Sequence, residues 1–377
     1  MFLMASRARL RPRQVDVPLL TLLSDGTHIP VPISCSALSS SSAPTVAPDD
    51  EPSAASQLVQ LLKKGMHTIA EGSAGAVPPA SSGSDAPATG DHQSCTVQLR
   101  LVRRFPQRKT LYLVRHGESE WNRGQAKLDL ATMYSQVDHP LSAEGRKQAD
   151  ALAATLARVM RSTPGDGGGE DGEATALREL CKSDLVLCSP LTRALQTCVL
   201  ALGDVLRQQG TRVVLAPNAR ERINPGAVDS IGTAIGAEAV RERLLTTTTE
   251  IYDGNTPAAA AALDGLAYDD SEVRSQWWSS GVEGKEAVNA RLDALLRQVQ
   301  FCDSPSVVLV GHSHLFRELL RVYMNPSVAQ RSEALAAQLK SKKLSNCGVA
   351  RLELDFGESG GSAPIVGVQL LAGTTLV

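Results

Sequence analysis

The sequence predicts an α/β protein, a three-layer α/β/α sandwich around a mainly parallel central sheet. Two observations support this. Short, continuously apolar runs recur after about residue 96, and such runs are typical of strands covered on both faces of a parallel sheet. Segments in which apolar residues recur at helical spacing separate these runs, as in repeated βα units.

Six strands are predicted in this order: 111–114, 184–188, 211–215, 306–310, 349–354 and 365–371. Between them, Ser142 is suited to cap a helix that runs to Met160, because a serine hydroxyl accepts an N–H of the first turn. Ser189 followed by Pro190 predicts a second helix start. Two more helices are predicted at 286–301 and 315–323.

The first 95 residues differ in composition from the rest. Stretches 36–53 and 71–93 are rich in serine, alanine, proline and glycine, which predicts a low-complexity, largely disordered extension before a folded domain at 96–377. Four arginines among few acids fit a transit peptide at 1–45 for a chloroplast or mitochondrion. An untargeted extension in a cytoplasmic protein is the alternative, and a hairpin over 15–31 around Asp25-Gly26 would argue against cleavage.

Two segments of simple composition interrupt the folded domain. A glycine-rich stretch predicts an insertion near 162–178, and a second insertion is predicted at 246–263, where threonines precede five consecutive alanines.

Bulk properties exclude several classes of protein. The net charge of −2 gives no attraction to nucleic acid or anionic membranes, and no apolar run is long enough to span a bilayer. Seven cysteines, widely spread and without a Cys-x-x-Cys pair, predict reduced intracellular thiols and neither a disulfide framework nor a metal site.

The segment 111–122, LYLVRHGESEWN, is the most informative in the chain. An apolar strand ends in Arg115 and His116, at the edge where open parallel sheets bind ligands. Arginine offers a permanent charge and a donor fork suited to phosphate or carboxylate, and a neutral imidazole can act as a nucleophile. Gly117 allows a tight turn and close approach of a ligand.

Two later strands repeat this arrangement. The strand at 306–310 is followed by Gly311 and His312, and the strand at 184–188 leads into a helix whose first turn holds Arg193, where the helix dipole also favours an anion. Arg115, His116, Arg193 and His312 should therefore meet at one edge of the sheet. Such a cluster suits a phosphoryl group of ~1.5 to 2 negative charges.

These residues lie in segments that resemble the motifs of the histidine phosphatase superfamily, which includes phosphoglycerate mutases and many phosphomonoesterases. Besides the Arg-His-Gly segment, the matching segments are DHPLSAEGRKQA at 138–149, SPLTRALQT at 189–197 and GHS at 311–313. They follow the family's order and span about 111–349. A diverged eukaryotic branch, loosely called phosphoglycerate mutase-like, is similar around 311–318.

The resemblance implies a phosphohydrolase that needs neither metal nor cofactor and forms a phosphohistidine at His116. Arg115, Arg193 and His312 would hold the phosphoryl oxygens, with Asn122 and Ser313 as further ligands. Glu221, after the third strand, matches the family's proton donor by position. Its alternative interpretation is an ordinary surface carboxylate between two arginines, which would lower rather than raise its pKa.

Phosphatase activity is favoured over mutase activity because of the residues that come after Glu221. The mutases of this family continue with Arg-His-Tyr-Gly, whereas this chain continues with RINPG at 222–226. The substrate would be a small phosphoester or a phosphoprotein. Two alternatives remain: a phosphoglycerate mutase-type phosphotransferase, and a non-catalytic phospho-ligand binder or scaffold.

Overall fold

The computed structural model describes residues 16–22, 28–34, 69–71, 98–100, 106–162, 172–223, 226, 228–279, 281–357 and 362–377. The chain divides into two compact units, Met1–Arg104 and Phe105–Val377. None of the described helices combines the length and hydropathy needed to cross a bilayer.

The first unit contains two small antiparallel sheets. Strands β1 (Asp16–Leu22) and β2 (His28–Ser34) pair from Asp16 opposite Ser34 to Leu22 opposite His28, which is the hairpin of the alternative prediction. Strands β3 (Ile69–Glu71) and β4 (Gln98–Arg100) form the other sheet. The remaining residues of the predicted extension and transit peptide lie outside the described ones.

The second unit is built on a seven-stranded sheet. Its strands are β5 (Arg108–Arg115), β6 (Leu185–Cys188), β7 (Val213–Leu215), β8 (Tyr268–Asp269), β9 (Ser306–Gly311), β10 (Val349–Asp355) and β11 (Ile365–Leu371). In the order β11-β10-β5-β9-β6-β7-β8, the five strands from β5 to β8 are parallel, and β10 and β11 are antiparallel. The predicted mainly parallel sheet is confirmed.

Eleven α-helices connect these strands in the described part of the unit. They are α1 (Glu120–Lys127), α2 (Leu130–Met133), α3 (Ala143–Arg161), α4 (Gly172–Cys181), α5 (Thr192–Gln209), α6 (Gly236–Ile251), α7 (Thr256–Leu263), α8 (Lys285–Phe301), α9 (Ser313–Tyr323), α10 (Pro326–Arg331) and α11 (Glu333–Ser341).

Alternate residues of the central strands face opposite layers, which confirms the three-layer sandwich. Tyr112 and Val114 of β5 belong to one apolar core, with buried residues of α3 to α7. Leu111 and Leu113 belong to the other, with residues of α8 to α11. A strand buried on both faces has a continuous apolar sequence, so β5 could be predicted from the sequence.

The two predicted insertions contain helices. The first runs partly through residues outside the described ones, but its end belongs to α4, where Ala176 and Leu177 are buried. The second forms the end of α6 and all of α7, with Thr247 and Ala259 buried. Their threonines and alanines thus pack against the domain. The described cysteines are free thiols: Cys181, Cys188, Cys198, Cys302 and Cys347.

Candidate active site

Two histidines meet at the carboxyl ends of the neighbouring parallel strands β5 and β9. Arg115 ends β5, Gly311 ends β9, and the two are in register. His116 and His312 follow directly, and the N–H of His116 donates to the Gly311 carbonyl oxygen at 3.0 Å. The imidazole ring centroids are 5.0 Å apart. The predicted convergence of the two motifs is therefore present.

His116 is held as a neutral imidazole of defined orientation. Burial lowers its pKa well below the usual value, and the charges of Arg193 and Arg115 lower it further. Its Nδ1 lies 2.6 Å from the carbonyl oxygen of Gly117, which can only accept a hydrogen bond, so Nδ1 carries the proton. Nε2 then keeps its lone pair, as a nucleophile requires.

His312 is fully buried and bonded on one side only. Its Nε2 lies 2.7 Å from the Ser189 hydroxyl at the end of β6, while its Nδ1 has no partner among the described residues. Burial lowers its pKa well below the usual value, with the charge of Arg193 as a further cause. Nδ1 is thus available to a ligand.

Arg193 lies in the first turn of α5, but that helix begins later than predicted. The sequence placed its start at Ser189, whereas the first helical residue is Thr192. The reason is a distant cap, because the buried carboxylate of Asp138 accepts the N–H of Thr192 at 2.8 Å and its hydroxyl at 2.7 Å. Asp138, the first residue of the 138–149 motif, therefore anchors the start of the helix that carries Arg193.

The two arginines are buried side chains. Arg193 is 1% exposed and donates through Nη1 to the Asp229 carbonyl oxygen at 2.6 Å, while its Nη2 lies 3.3 Å from Oδ2 of Asp229. Arg115 is 5% exposed and donates through Nη1 to the Leu344 carbonyl. The Nε of Arg115 has no partner within the described residues. Both guanidinium groups are thus fixed beside the histidines.

The two predicted accessory ligands, Asn122 and Ser313, lie in the first turns of two different helices. Asn122 is in the first turn of α1, and its Oδ1 accepts the N–H of Ser119 at 3.3 Å in a reciprocal capping box. This structural role leaves only its amide nitrogen for a ligand. Ser313 is buried as the first residue of α9, directly after His312.

Glu221, the predicted proton donor, is buried with both carboxylate oxygens occupied. Oε1 accepts N–H groups from Arg222 at 2.9 Å and Leu315 at 3.0 Å, and Oε2 accepts the N–H of His314 at 3.2 Å. It is therefore not the surface carboxylate of the alternative interpretation. Helix α9 has no side-chain cap from its own first residue, and Glu221 supplies that cap.

The residues of the 138–149 motif brace the loop after His116. Ser142 donates its hydroxyl to Oε1 of Glu118 at 2.6 Å, and Gln148 accepts the N–H of Glu118 at 2.9 Å. Gly117 and Gly145 lie backbone to backbone, since a Cβ on Gly117 would come within 2.6 Å of the Gly145 carbonyl oxygen. These residues of the motif therefore support the loop that follows His116.

Sequence reasoning missed the roles of two side chains. Thr197 accepts the N–H of Gly117 at 3.0 Å and donates to the Arg193 carbonyl at 2.8 Å, which joins two motifs. Asp229 contacts Arg193 from a 3₁₀ turn, Val228–Ser230. A single aspartate in a loop has no distinguishing sequence pattern, so no signal could have found it.

Comparison with known proteins adds a family match. Residues 111–163 match the model of the histidine phosphatase superfamily (branch 1). No curated protein matches the chain.

Similar solved structures include two phosphatases and a mutase. The α-ribazole phosphatase from Shigella flexneri is 19% identical, with 70% of this chain and 95% of that chain covered and a TM-score of 0.34. A mycobacterial glucosyl-3-phosphoglycerate phosphatase is 21% identical, with coverages of 70% and 97% and a TM-score of 0.33. A phosphoglycerate mutase from Bacillus anthracis is 18% identical, with coverages of 66% and 89% and a TM-score of 0.36.

The chain is thus similar to the histidine phosphatase superfamily over residues 111–163. Its matched segment contains Arg115 and His116, and the 138–149 motif that braces them.

Proposed function

We propose that this protein is a metal-independent phosphomonoester hydrolase that acts through a phosphohistidine at His116. The observation that supports this best is the state of that side chain. It is neutral, its proton is fixed on Nδ1 by the Gly117 carbonyl 2.6 Å away, and it is 3% exposed. A buried, oriented imidazole with a lone pair on Nε2 is suited to attack phosphorus.

The surrounding donors suit a phosphoryl group. Two buried nitrogen atoms at this sheet edge have no partner within the part of the chain that the structure describes: Nε of Arg115, a donor, and Nδ1 of His312, which donates in the tautomer whose Nε2 accepts from the Ser189 hydroxyl. Unsatisfied buried polar atoms are costly, so a ligand that accepts from them would bind favourably. Together with Arg193 they would hold the non-bridging oxygens, with Asn122 and Ser313 as accessory ligands.

The reaction would proceed in two displacements. In the first, Nε2 of His116 forms a bond to phosphorus, the bond to the leaving oxygen breaks, and a carboxylic acid protonates that oxygen. In the second, the resulting carboxylate takes a proton from water, which attacks phosphorus and releases inorganic phosphate from the histidine. Catalysis is then mainly positioning and charge stabilisation. Glu221, which matches the family's proton donor by position, is the proposed acid and base.

Hydrolysis is preferred to mutase activity because the residues after Glu221 differ from the mutase segment, and one of them, Ile223, is used for packing. Ile223 is 5% exposed, and its N–H is bonded to Glu283 at 3.2 Å. Ile223 therefore stands where the mutase segment has its histidine and offers no polar side chain there. The substrate class is a phosphomonoester, either a small molecule or a phosphoprotein.

A phosphoester panel with acid-quench trapping tests the proposal. Wild-type protein should release phosphate from p-nitrophenyl phosphate and retain acid-labile label after quenching, and His116→Ala should do neither while unfolding cooperatively. Full activity in His116→Ala would disprove the mechanism. Conversion of 3-phosphoglycerate to 2-phosphoglycerate with 2,3-bisphosphoglycerate would instead indicate a mutase, and binding of vanadate without turnover of any ester would indicate a binder.

A further inference from the structure

We infer that Glu283, Arg291 and Arg220 form a buried clamp that positions Glu221 for proton transfer to the leaving oxygen. The inference rests on the proposed hydrolase function, in which Glu221 is the acid and base. It follows from how the three side chains are bonded to the main chain on either side of Glu221. They are positioning residues, because their side-chain hydrogen bonds among the described residues go to one another and to this segment.

The segment that carries Glu221 has no regular secondary structure of its own. A 3₁₀ turn, Pro217–Ala219, ends directly before Arg220, and residues 220–223 belong to no helix or strand. Buried main-chain groups outside helices and strands have to be bonded by side chains or by neighbouring loops. The position of the Glu221 side chain therefore depends on what binds the main chain around it.

Arg291, on α8, holds the main chain before Glu221. Its Nη1 donates to the carbonyl oxygen of Asn218 at 2.8 Å and to that of Arg220 at 3.1 Å. The side chain of Arg220 bonds within the same stretch, through Nη1 to the Pro217 carbonyl oxygen at 3.1 Å. The carbonyl groups before Glu221 are thus held by guanidinium donors, which form stronger hydrogen bonds than neutral ones.

Glu283 holds the main chain after Glu221 and joins the two arginines. Its Oε2 accepts the N–H of Ile223 at 3.2 Å, and its own N–H donates to the Ile223 carbonyl oxygen at 3.2 Å. Its Oε1 accepts from Nη2 of Arg220 at 2.5 Å. Arg291 makes two bonds to the same carboxylate, at 2.9 and 2.7 Å. Both sides of Glu221 are therefore tied to one carboxylate.

The clamp is an expensive way to fill the space that it occupies. Glu283, Arg291 and Arg220 are all buried, and taking charges out of water costs so much that a well-packed apolar cluster is often at least as stable. An apolar cluster could not, however, form directional bonds to main-chain atoms on both sides of one residue. The arrangement is thus suited to fixing the geometry of the segment around Glu221.

The carboxylate that the clamp positions is also bound to the helix that follows His312. Glu221 accepts the N–H groups of His314 and Leu315 in the first turn of α9. The clamp and α9 therefore hold it from two sides. A proton donor has to lie within hydrogen-bond distance of the leaving oxygen, and a misplacement of about 1 Å can cost roughly 10²-fold in rate.

Leaving-group dependence tests the assignment. Arg291→Lys keeps a charge beside Glu283, but a single ammonium nitrogen cannot replace a fork that spans Glu283 and two carbonyl oxygens. With glycerol phosphate, whose leaving alkoxide must be protonated, kcat should fall roughly 10- to 10²-fold. The loss with p-nitrophenyl phosphate should be much smaller, because its phenolate needs little protonation. Inhibition by inorganic phosphate should be retained, since the groups that hold the phosphoryl oxygens are unchanged.

Two further variants accompany Arg291→Lys. Glu283→Asp shortens the carboxylate at the other side of the clamp and should show the same selective loss, which provides a second test if one variant fails to unfold cooperatively. Val299→Ala is the matched control, because it truncates a buried side chain further along α8. It should lower the unfolding temperature without a leaving-group-selective loss, and a selective loss in this control would overturn the assignment.

A double-mutant cycle shows whether the clamp acts through Glu221. Glu221→Gln removes the proton donor, so adding Arg291→Lys to it should cause little further selective loss. An equal loss from Arg291→Lys in both backgrounds, or no selective loss in Glu221→Gln itself, would overturn the assignment while leaving the hydrolase proposal intact. Failure of wild type to hydrolyse any phosphoester would overturn both.

Discussion

Gly117 and Gly145 touch through their main chains at the base of the candidate active site. A Cβ built on Gly145 would overlap the carbonyl oxygen of Glu118, and one on Gly117 would lie 2.6 Å from the carbonyl oxygen of Gly145. Backbone cannot yield as a flexible side chain can. The loop after His116 therefore depends on the absence of a side chain at both positions.

The first prediction concerns Gly145→Ala. The added methyl would push the Glu118 backbone and the adjacent His116 loop away, at a cost of about 1–3 kcal/mol or more in unfolding free energy. Thermal unfolding and kcat/KM on p-nitrophenyl phosphate would measure the two effects. Gly203→Ala is the control, because there the nearest atom is the flexible end of Arg207 at 3.2 Å and alanine favours the helix. Equal behaviour of the two variants would contradict the prediction.

The second prediction concerns Thr197→Val. This change leaves the N–H of Gly117 without its acceptor in a buried site, which costs about 1–3 kcal/mol. Activity should fall as well, since the same hydroxyl ties the loop after His116 to the helix of Arg193. Chemical denaturation measures the first effect. Thr155→Val, which removes a comparable bond to Ala151 on an exposed helix face, should change stability by less than half as much.

The third prediction concerns the buried clamp at Glu283. Burial of Glu283 favours its neutral form. Hydrogen bonds and positive charges from Arg291 and Arg220 nevertheless hold the pKa of Glu283 below the usual value. Glu283→Gln leaves both arginines buried without a countercharge, so we expect a loss of about 3–5 kcal/mol. Urea unfolding would measure it. Glu144→Gln, which removes an exposed carboxylate beside Lys147, should lower the free energy of unfolding by only about 0–1 kcal/mol.

The fourth prediction concerns acid stability. His116 and His312 are neutral in the fold because burial lowers each pKa well below the usual value, whereas unfolded histidine binds a proton near pH ~6.5. Because the unfolded state then binds more protons, stability is lost as pH falls below about 6.5, by up to about 1.4 kcal/mol per pH unit for each histidine.

Urea unfolding between pH 7.5 and pH 5 in wild type and His312→Gln checks this. The variant should show a shallower loss. The buried Asp138 and Asp229 act in the opposite direction, because burial raises each pKa and the folded state then gains protons more readily as pH falls. Wild type and His312→Gln both contain these aspartates, so the difference between their pH dependences of unfolding free energy reports on His312. Identical pH dependences would argue against a neutral buried histidine at this position.

Much of the sheet could be predicted because its strands are buried on both faces. The predicted strand at 306–310 is observed as Ser306–Gly311, and the predicted 365–371 is observed with the same bounds. Helices without a clear apolar period were missed, including Pro326–Arg331 and Glu333–Ser341. The alanine-rich α7 was interpreted as an insertion because alanine spacing does not indicate which face will be buried.

The convergence of the cationic side chains was also predictable, whereas the contacts of the carboxylates were not. Arg115, His116 and His312 occupy strand ends, which parallel pairing brings to one edge whatever the loops do. By contrast, Glu221 reaches Leu315 across 94 residues of sequence. A hydrogen bond over such a separation leaves no local pattern.

The sequence by itself determined six of the seven strands of the sheet and the arginines and histidines that follow them, because periodicity and strand direction are local properties. Only the tertiary structure decided that Asp138 and Glu221 cap distant helices, that Gly117 sets the tautomer of His116, and that Asp229 contacts Arg193. These outcomes depend on which buried donors and acceptors meet once the layers have packed, and burial makes each such pairing obligatory.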